Sequence, residues 1–237
     1  MSIFDRLLAA SAVKTAMVPR ENALPGRDTA MPLRGENLVT HRPMRGTPDA
    51  TGGFGAAGIG EWGPDLQAVV LAGGCFWGIE EIFWQQPGVY TTAVGYAGGY
   101  TPNPTYEEVC TAQTGHTESA LIVFDPAKTT LKHLIELFFT SHDPTQEMRQ
   151  GNDVGTQYRS AVFGLDGEAT RLAVATAERY EPTLRAAGYG PITTEIVPLA
   201  EAGDGHFYYA EDVHQQYLFT NPNGYRCHVS TGLAFDA

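Results

Sequence analysis

Cys75 is set by its neighbours to act as a nucleophile. Ala68, Val69, Val70 and Leu71 form an apolar run of strand length, and Gly73-Gly74 break it directly before the cysteine. From there Phe76, Ile79, Ile82 and Phe83 recur at three- and four-residue intervals, a helical spacing that Pro87-Gly88 ends. A strand therefore delivers Cys75 to a helix N-terminus, where unpaired N–H groups and the positive end of the helix dipole favour thiolate over thiol. Glu80 and Glu81 oppose that shift if they face the sulfur. The bland alternative is a small residue buried between strand and helix. The glycines, the helix start and the adjacent Phe76-Trp77 pair weigh against it.

Which reaction the thiolate serves depends on its partners, and the residues leave several chemistries open. Glu118 sits at the mouth of an apolar strand in residues 114–124 (TGHTESALIVF) and is a candidate general acid, although a lone glutamate there is commonly just solvated. His116, His142, His206, His214 and His228 each allow a Cys-His pairing, the arrangement of a cysteine hydrolase or acyltransferase. Spacing alone gives that hydrolase and a redox enzyme equal standing. A thiol sensor or peptide-binding module anchored on the aromatic loop with Tyr96, Tyr100 and Tyr106 is a third reading. The tail NPNGYRCHVSTG, residues 221–232, has few apolar residues and is expected to be mobile, able to bring Cys227 toward Cys75. Cys110, between Val109 and Thr111, reads as a half-buried structural thiol. His206 and His214 are eight positions apart, not the three or four of a helical metal pair, so no metal is assigned.

The elements that must hold these residues follow from periodicity. Val89–Gly95 reads as a strand, followed by a long turn-rich segment to Cys110. Thr129 or Thr130 caps a helix to about Thr140 with Leu131, Leu134, Ile135, Phe138 and Phe139 on one face. A polar loop leads to a strand over Tyr158–Phe163, a helix capped at Asp166 that kinks or restarts at Pro182, and a last core strand over Ile192–Leu199. Phe207–Leu218 reads as an aromatic-rich helix, and Ile3–Ala12 as a possible short one. The organisation is an irregular N-terminal extension over 1–65, packed over or loosely attached to the core, a catalytic domain over 66–220 and a mobile tail over 221–237.

Composition sets the outer limits. The hydrophobic fraction of 43% is ordinary for a globular chain, whereas 27 glycines and 15 prolines imply many turns. A net charge of −12 disfavours nucleic acid and anionic lipid as partners. No apolar run is long enough to span a bilayer, and Asp5 and Arg6 ahead of a short, interrupted apolar patch are unlike a signal peptide. Three cysteines are too few for a disulfide framework and fit a reducing, cytoplasmic setting.

Five segments, GCFWG (74–78), NPTYEEVC (103–110), TGHTE (114–118), GNDVGTQYRS (151–160) and YYAEDVHQQYL (208–218), together resemble the signatures of A-type peptide methionine sulfoxide reductases, over about residues 66–224. The resemblance implies an α+β fold, a mixed sheet flanked by helices with a ferredoxin-like core and long coil segments. It implies thiol-dependent reduction of the S epimer of methionine sulfoxide, free or protein-bound, as protein repair and antioxidant defence. Cys75 would attack the sulfoxide sulfur, Glu118 would protonate the oxygen, and Tyr106 and Tyr158 would hold it. Asp153 would organise the polar side, with Phe76 and Trp77 as the wall for the S-methyl group. The sulfenic acid left on Cys75 would condense with Cys227, the one downstream cysteine available as a resolving thiol. Thioredoxin would reduce that disulfide, no cofactor beyond an external dithiol would be needed, and the protein would be a monomer.

Overall fold

The protein is described by a computed structural model over residues 14–52, 54–226 and 230–235; the expected helix at Ile3–Ala12 and Cys227 with His228 lie outside the described residues. In chain order the main elements are β1 (Gln67–Gly73), α1 (Phe76–Trp84), β2 (Val89–Ala97), α2 (Tyr106–Cys110), β3 (Thr117–Phe124) and α3 (Leu131–Ser141). A two-stranded ribbon, β4 (Arg149–Gln150) with β5 (Asp153–Val154), precedes β6 (Ser160–Gly164), α4 (Gly167–Ala186), β7 (Glu195–Pro198), β8 (Tyr208–Tyr209) and α5 (Tyr217–Thr220).

Six strands form one sheet in the order β7-β6-β1-β3-β2-β8. All neighbours are antiparallel except β6 and β7, so the sheet is mixed. Its centre, β6-β1-β3-β2, is the ferredoxin-like split βαβ arrangement: β3 lies between β1 and β2, and β1 lies between β3 and β6. The expected α+β class holds. Side-chain caps start three helices. Thr130 accepts from the His133 N–H, Asp166 accepts from the Ala169 N–H, and Thr105 with Glu108 forms a reciprocal capping box on α2.

Both faces of the sheet are covered, which is why β1 from Ala68 and β3 from Ala120 read as unbroken apolar runs with no polar alternation. On one face Val69, Leu71, Ile122 and Phe124 pack under Ile79 and Phe83 of α1, Phe138 and Phe139 of α3 and Tyr180 of α4. On the other, Val70, Ala72, Leu121, Val123 and Phe163 pack under Met44 and Ile59 of the N-terminal segment and under Leu199, Phe207 and Tyr209. Met44 is 0% exposed, so this segment closes the second core layer.

Three local expectations need correction. Phe207–Leu218 is not a helix: Tyr208 and Tyr209 pair with Tyr96 and Gly95 as an edge strand, and only Tyr217–Thr220 is helical. Helical spacing was overridden here by side-chain bonds to backbone. Gln215 exchanges a pair of bonds with the Val94 N–H and C=O, and Gln216 takes a left-handed backbone at φ 48°. Of the two outcomes expected at Pro182 the restart does not occur, since helix α4 runs on through it to Ala186. The strand expected over Ile192–Leu199 shortens to Glu195–Pro198, an edge strand parallel to β6, and it is not the last.

Candidate active site

The chemistry-bearing residues gather where β1 and β2 end and β3 and β6 begin. Gly74, at φ 94°, turns the chain off β1 in a conformation that side-chain-bearing residues rarely adopt, and Cys75 follows as the N-cap of α1. Cys75 is 5% exposed. The first N–H of the helix, on Phe76, donates to Glu118 Oε2 at 3.0 Å, so the carboxyl lies one peptide unit from the cysteine. Glu118 is brought there by the β2–β3 register, which sets it opposite Tyr96.

Burial pushes the Glu118 carboxyl up to about 8; the charge of Asp153 adds to the shift and the Phe76 N–H opposes it. At neutral pH it therefore keeps its proton. Its second oxygen, Oε1, is buried without a hydrogen-bond partner among the described residues. Such an atom is costly unless something else pairs with it, which makes it the natural point of contact for a polar ligand atom.

Two phenols stand in the same electrostatic neighbourhood. Burial first and the Glu118 charge second push Tyr106 and Tyr158 well above the usual phenol range, so both remain O–H donors. Tyr106 also feels Cys75 and donates its hydroxyl to Cys110, and Tyr158 also feels Tyr106 and Asp153. Asp153, on β5, accepts from the Tyr225 hydroxyl at 3.2 Å. The half-buried Cys110 ends α2.

The apolar side is a stack of rings. Phe76, 0% exposed, lies 5.8 Å from Tyr96 and 6.3 Å from Tyr106, centroid to centroid. Trp77 is stacked at 4.0 Å on Tyr217, and His214 packs 4.4 Å from Tyr106. Glu211 joins the two sides, accepting the Tyr106 N–H at 2.9 Å and the Tyr96 hydroxyl at 3.1 Å. Cys75, Phe76, Trp77, Tyr106 and Glu118 thus lie together, with Asp153 and Tyr158 within electrostatic reach of Glu118. Cys227 lies outside the described residues; the preceding Arg226 makes a two-pronged ion pair with Glu81 of α1 at 2.7 Å.

Glu211 and Tyr217 were not legible as site residues, and Tyr96 and His214 were legible only as a loop aromatic and as one of five histidines. Glu211, His214 and Tyr217 fall in the stretch whose spacing reads as a helix, and only the actual loop turns all three toward α1 and α2. Two of the histidines a hydrolase could use are committed elsewhere. His116 accepts from the Gly99 N–H and meets the Thr101 carbonyl, and His142 meets the Phe138 carbonyl and the Ser160 hydroxyl. A buried acid whose second oxygen has no partner among the described residues, with two phenols beside it, fits proton delivery to an oxygen better than acyl transfer.

Comparison with known proteins points the same way. Residues 67–236 match the family model described as peptide methionine sulfoxide reductase. The chain is 50% identical over 212 residues to peptide methionine sulfoxide reductase MsrA 1 of Synechocystis sp., covering 90% of this chain and 87% of that one. It is 51% identical over 222 residues to MsrA of Azotobacter vinelandii, covering 94% of each. Among solved structures, methionine sulfoxide reductase A of Corynebacterium diphtheriae superposes with a TM-score of 0.80 at 43% identity, over 92% of this chain and 97% of that one.

Proposed function

This chain belongs to the peptide methionine sulfoxide reductase family, and on that footing we propose that Cys75 is the nucleophile, Glu118 the general acid and Cys227 the resolving thiol of a methionine S-sulfoxide reductase. The observation that carries the acid is a buried Oε1 with no hydrogen-bond partner among the described residues, on a carboxyl held protonated near pH 7. A sulfoxide oxygen is a poor leaving group until it gains a proton, so attack by Cys75 on sulfur needs that acid. Tyr106 and Tyr158 donate O–H bonds to the same oxygen, Tyr106 by rotating its hydroxyl away from Cys110. Burial keeps Glu118 protonated, and the charge of Asp153 adds to that effect. Phe76 and Trp77 take the S-methyl group, and the epimer that points its methyl at them and its oxygen at Glu118 is the one reduced.

The atoms balance in two steps. Cys75 thiol and sulfoxide become Cys75 sulfenic acid and methionine as oxygen passes from one sulfur to the other; the Cys227 thiol then displaces that oxygen as water, forming the Cys75–Cys227 disulfide. Thioredoxin, an external dithiol, reduces the disulfide, and no prosthetic group takes part. Among the described residues no helix is long and apolar enough to cross a membrane. The reductant and the scarcity of cysteines support a cytoplasmic setting.

The relay is tested by Cys227→Ser. One methionine per enzyme should still appear in a single turnover, and thioredoxin-supported turnover should fall to background, because no disulfide forms for thioredoxin to attack. Dithiothreitol, small enough to reach the sulfenic acid, should restore part of the rate. Full thioredoxin-supported turnover would overturn the Cys75–Cys227 pairing. Cys110→Ser should change turnover by less than about threefold, since serine still offers Tyr106 a hydrogen-bond partner and the relay does not use this thiol. Loss of recycling with the single-turnover burst intact would move Cys110 into the relay.

A further inference from the structure

Glu80 is a fully buried carboxyl that the proposed chemistry does not use. It lies on α1 five residues after Cys75 and accepts three bonds: the Thr92 hydroxyl at 2.9 Å and the Gln216 Nε2–H at 2.7 Å on Oε1, and the Gln216 backbone N–H at 2.9 Å on Oε2. Glu80, Thr92 and Gln216 are each 0% exposed. Burying a charge-bearing group this completely is unfavourable unless its acceptors are filled, and here every partner is a donor.

The residue gripped is the unusual one. Gln216 is left-handed at φ 48° and ψ 42°, a state that costs a side-chain-bearing residue roughly 1–2 kcal/mol and so has to be held from outside. Two of the three bonds to Glu80 come from Gln216, and the next residue, Tyr217, is the ring stacked on Trp77. The N-terminal segment adds its own grip. The Leu38 N–H donates to Gln216 Oε1, and Asn37, also buried, donates to the Thr92 carbonyl and hydroxyl.

We infer that Glu80 is a positioning residue for the substrate wall: by fixing Gln216 in its left-handed conformation it seats Tyr217 on Trp77, and so sets the depth of the apolar pocket. This rests on the reading of Trp77 as the wall for the S-methyl group. It assigns no proton transfer to Glu80, so the effect belongs to substrate binding and not to the chemical step.

In Glu80→Gln one acceptor oxygen becomes an NH2 donor, which must face either the Gln216 N–H or the Thr92–Gln216 amide pair, and the left-handed turn loses its restraint. With N-acetyl-methionine S-sulfoxide and excess dithiothreitol, KM should rise about tenfold while kcat stays within about threefold. Tyr217→Leu should raise KM similarly. Because both act through one ring, the double variant should show no further rise, a non-additivity that general loosening of the fold would not produce. If Glu80→Gln does not fold, Gln216→Gly replaces it in the same cycle, since glycine accepts the left-handed backbone while losing the side-chain bonds. Additive KM effects, or a kcat loss without a KM change, would overturn the inference while leaving wild-type sulfoxide reduction intact. Failure of the wild type to reduce the sulfoxide would instead overturn the underlying reading and this inference with it.

Discussion

Cys75→Ser is expected to abolish methionine release, even in a single turnover with excess enzyme. The hydroxyl supplies almost no anion near neutral pH, whereas a thiol with an ordinary pKa near 8.5 supplies some and one at a helix N-terminus more. Sulfur is also the oxygen acceptor in this reaction, and a serine oxygen has no equivalent of the sulfenic acid. Removal of a covalent nucleophile elsewhere costs on the order of 10⁶-fold, and a comparable loss is expected here. The fold should be unaffected: the residue is almost fully buried, the replacement is nearly isosteric, and the Phe76 N–H still reaches Glu118. Methionine released stoichiometrically by the serine variant, with its melting transition unchanged, would remove Cys75 from the mechanism.

What made Cys75 readable was local. An apolar run, two glycines and a helical period are all encoded within about fifteen residues, and the structure places β1, the Gly74 turn and α1 where those signals put them. Glu118 was readable as a candidate acid, but the causes of its raised pKa were not. Its pKa depends on burial, at 1% exposure, on the opposing Phe76 N–H, and on Asp153 from a ribbon thirty-five residues downstream, none of which a strand-end position reveals. The N-terminal segment was harder. Met44 and Ile59 are isolated apolar residues among glycines and prolines, with no period to announce them, and their burial follows from the sheet having a second face to cover. Tyr217 was lost to a false signal: helical spacing in residues 207–218 is real, but Gln215 and Gln216 spend their side chains on the Val94 backbone and on Glu80 instead. Long-range polar pairing leaves no periodic trace.

Glu118→Gln should move activity and stability in opposite directions. The amide keeps the shape and can still accept the Phe76 N–H, but it has no acidic proton to give the sulfoxide oxygen, so the single-turnover rate should fall by about 10²- to 10⁴-fold near pH 7. Alkylation of Cys75 should persist, because the thiol remains. In the wild type the acid is lost as pH rises through about 8, so the reduction rate should decline above that value, and the variant's residual rate should lack this limb. The stability effect has the same origin. Unfolded, the carboxyl titrates near 4.3; folded, it holds its proton to about 8, so between those values the folded state binds more protons than the unfolded one. Wild-type stability is therefore highest with respect to this group below about pH 4, falls as pH rises, and levels off above about 8. Glutamine does not titrate, and the variant should gain on the wild type across that window by an amount on the order of a few kcal/mol. Denaturant midpoints at pH 5 and pH 8.5, taken with dithiothreitol present, measure the gain. A rate unchanged by the substitution, or a wild-type rate that keeps climbing past pH 9, would sink Glu118 as the acid; a stability difference that does not vary with pH would show that its carboxyl is not held protonated in the folded protein.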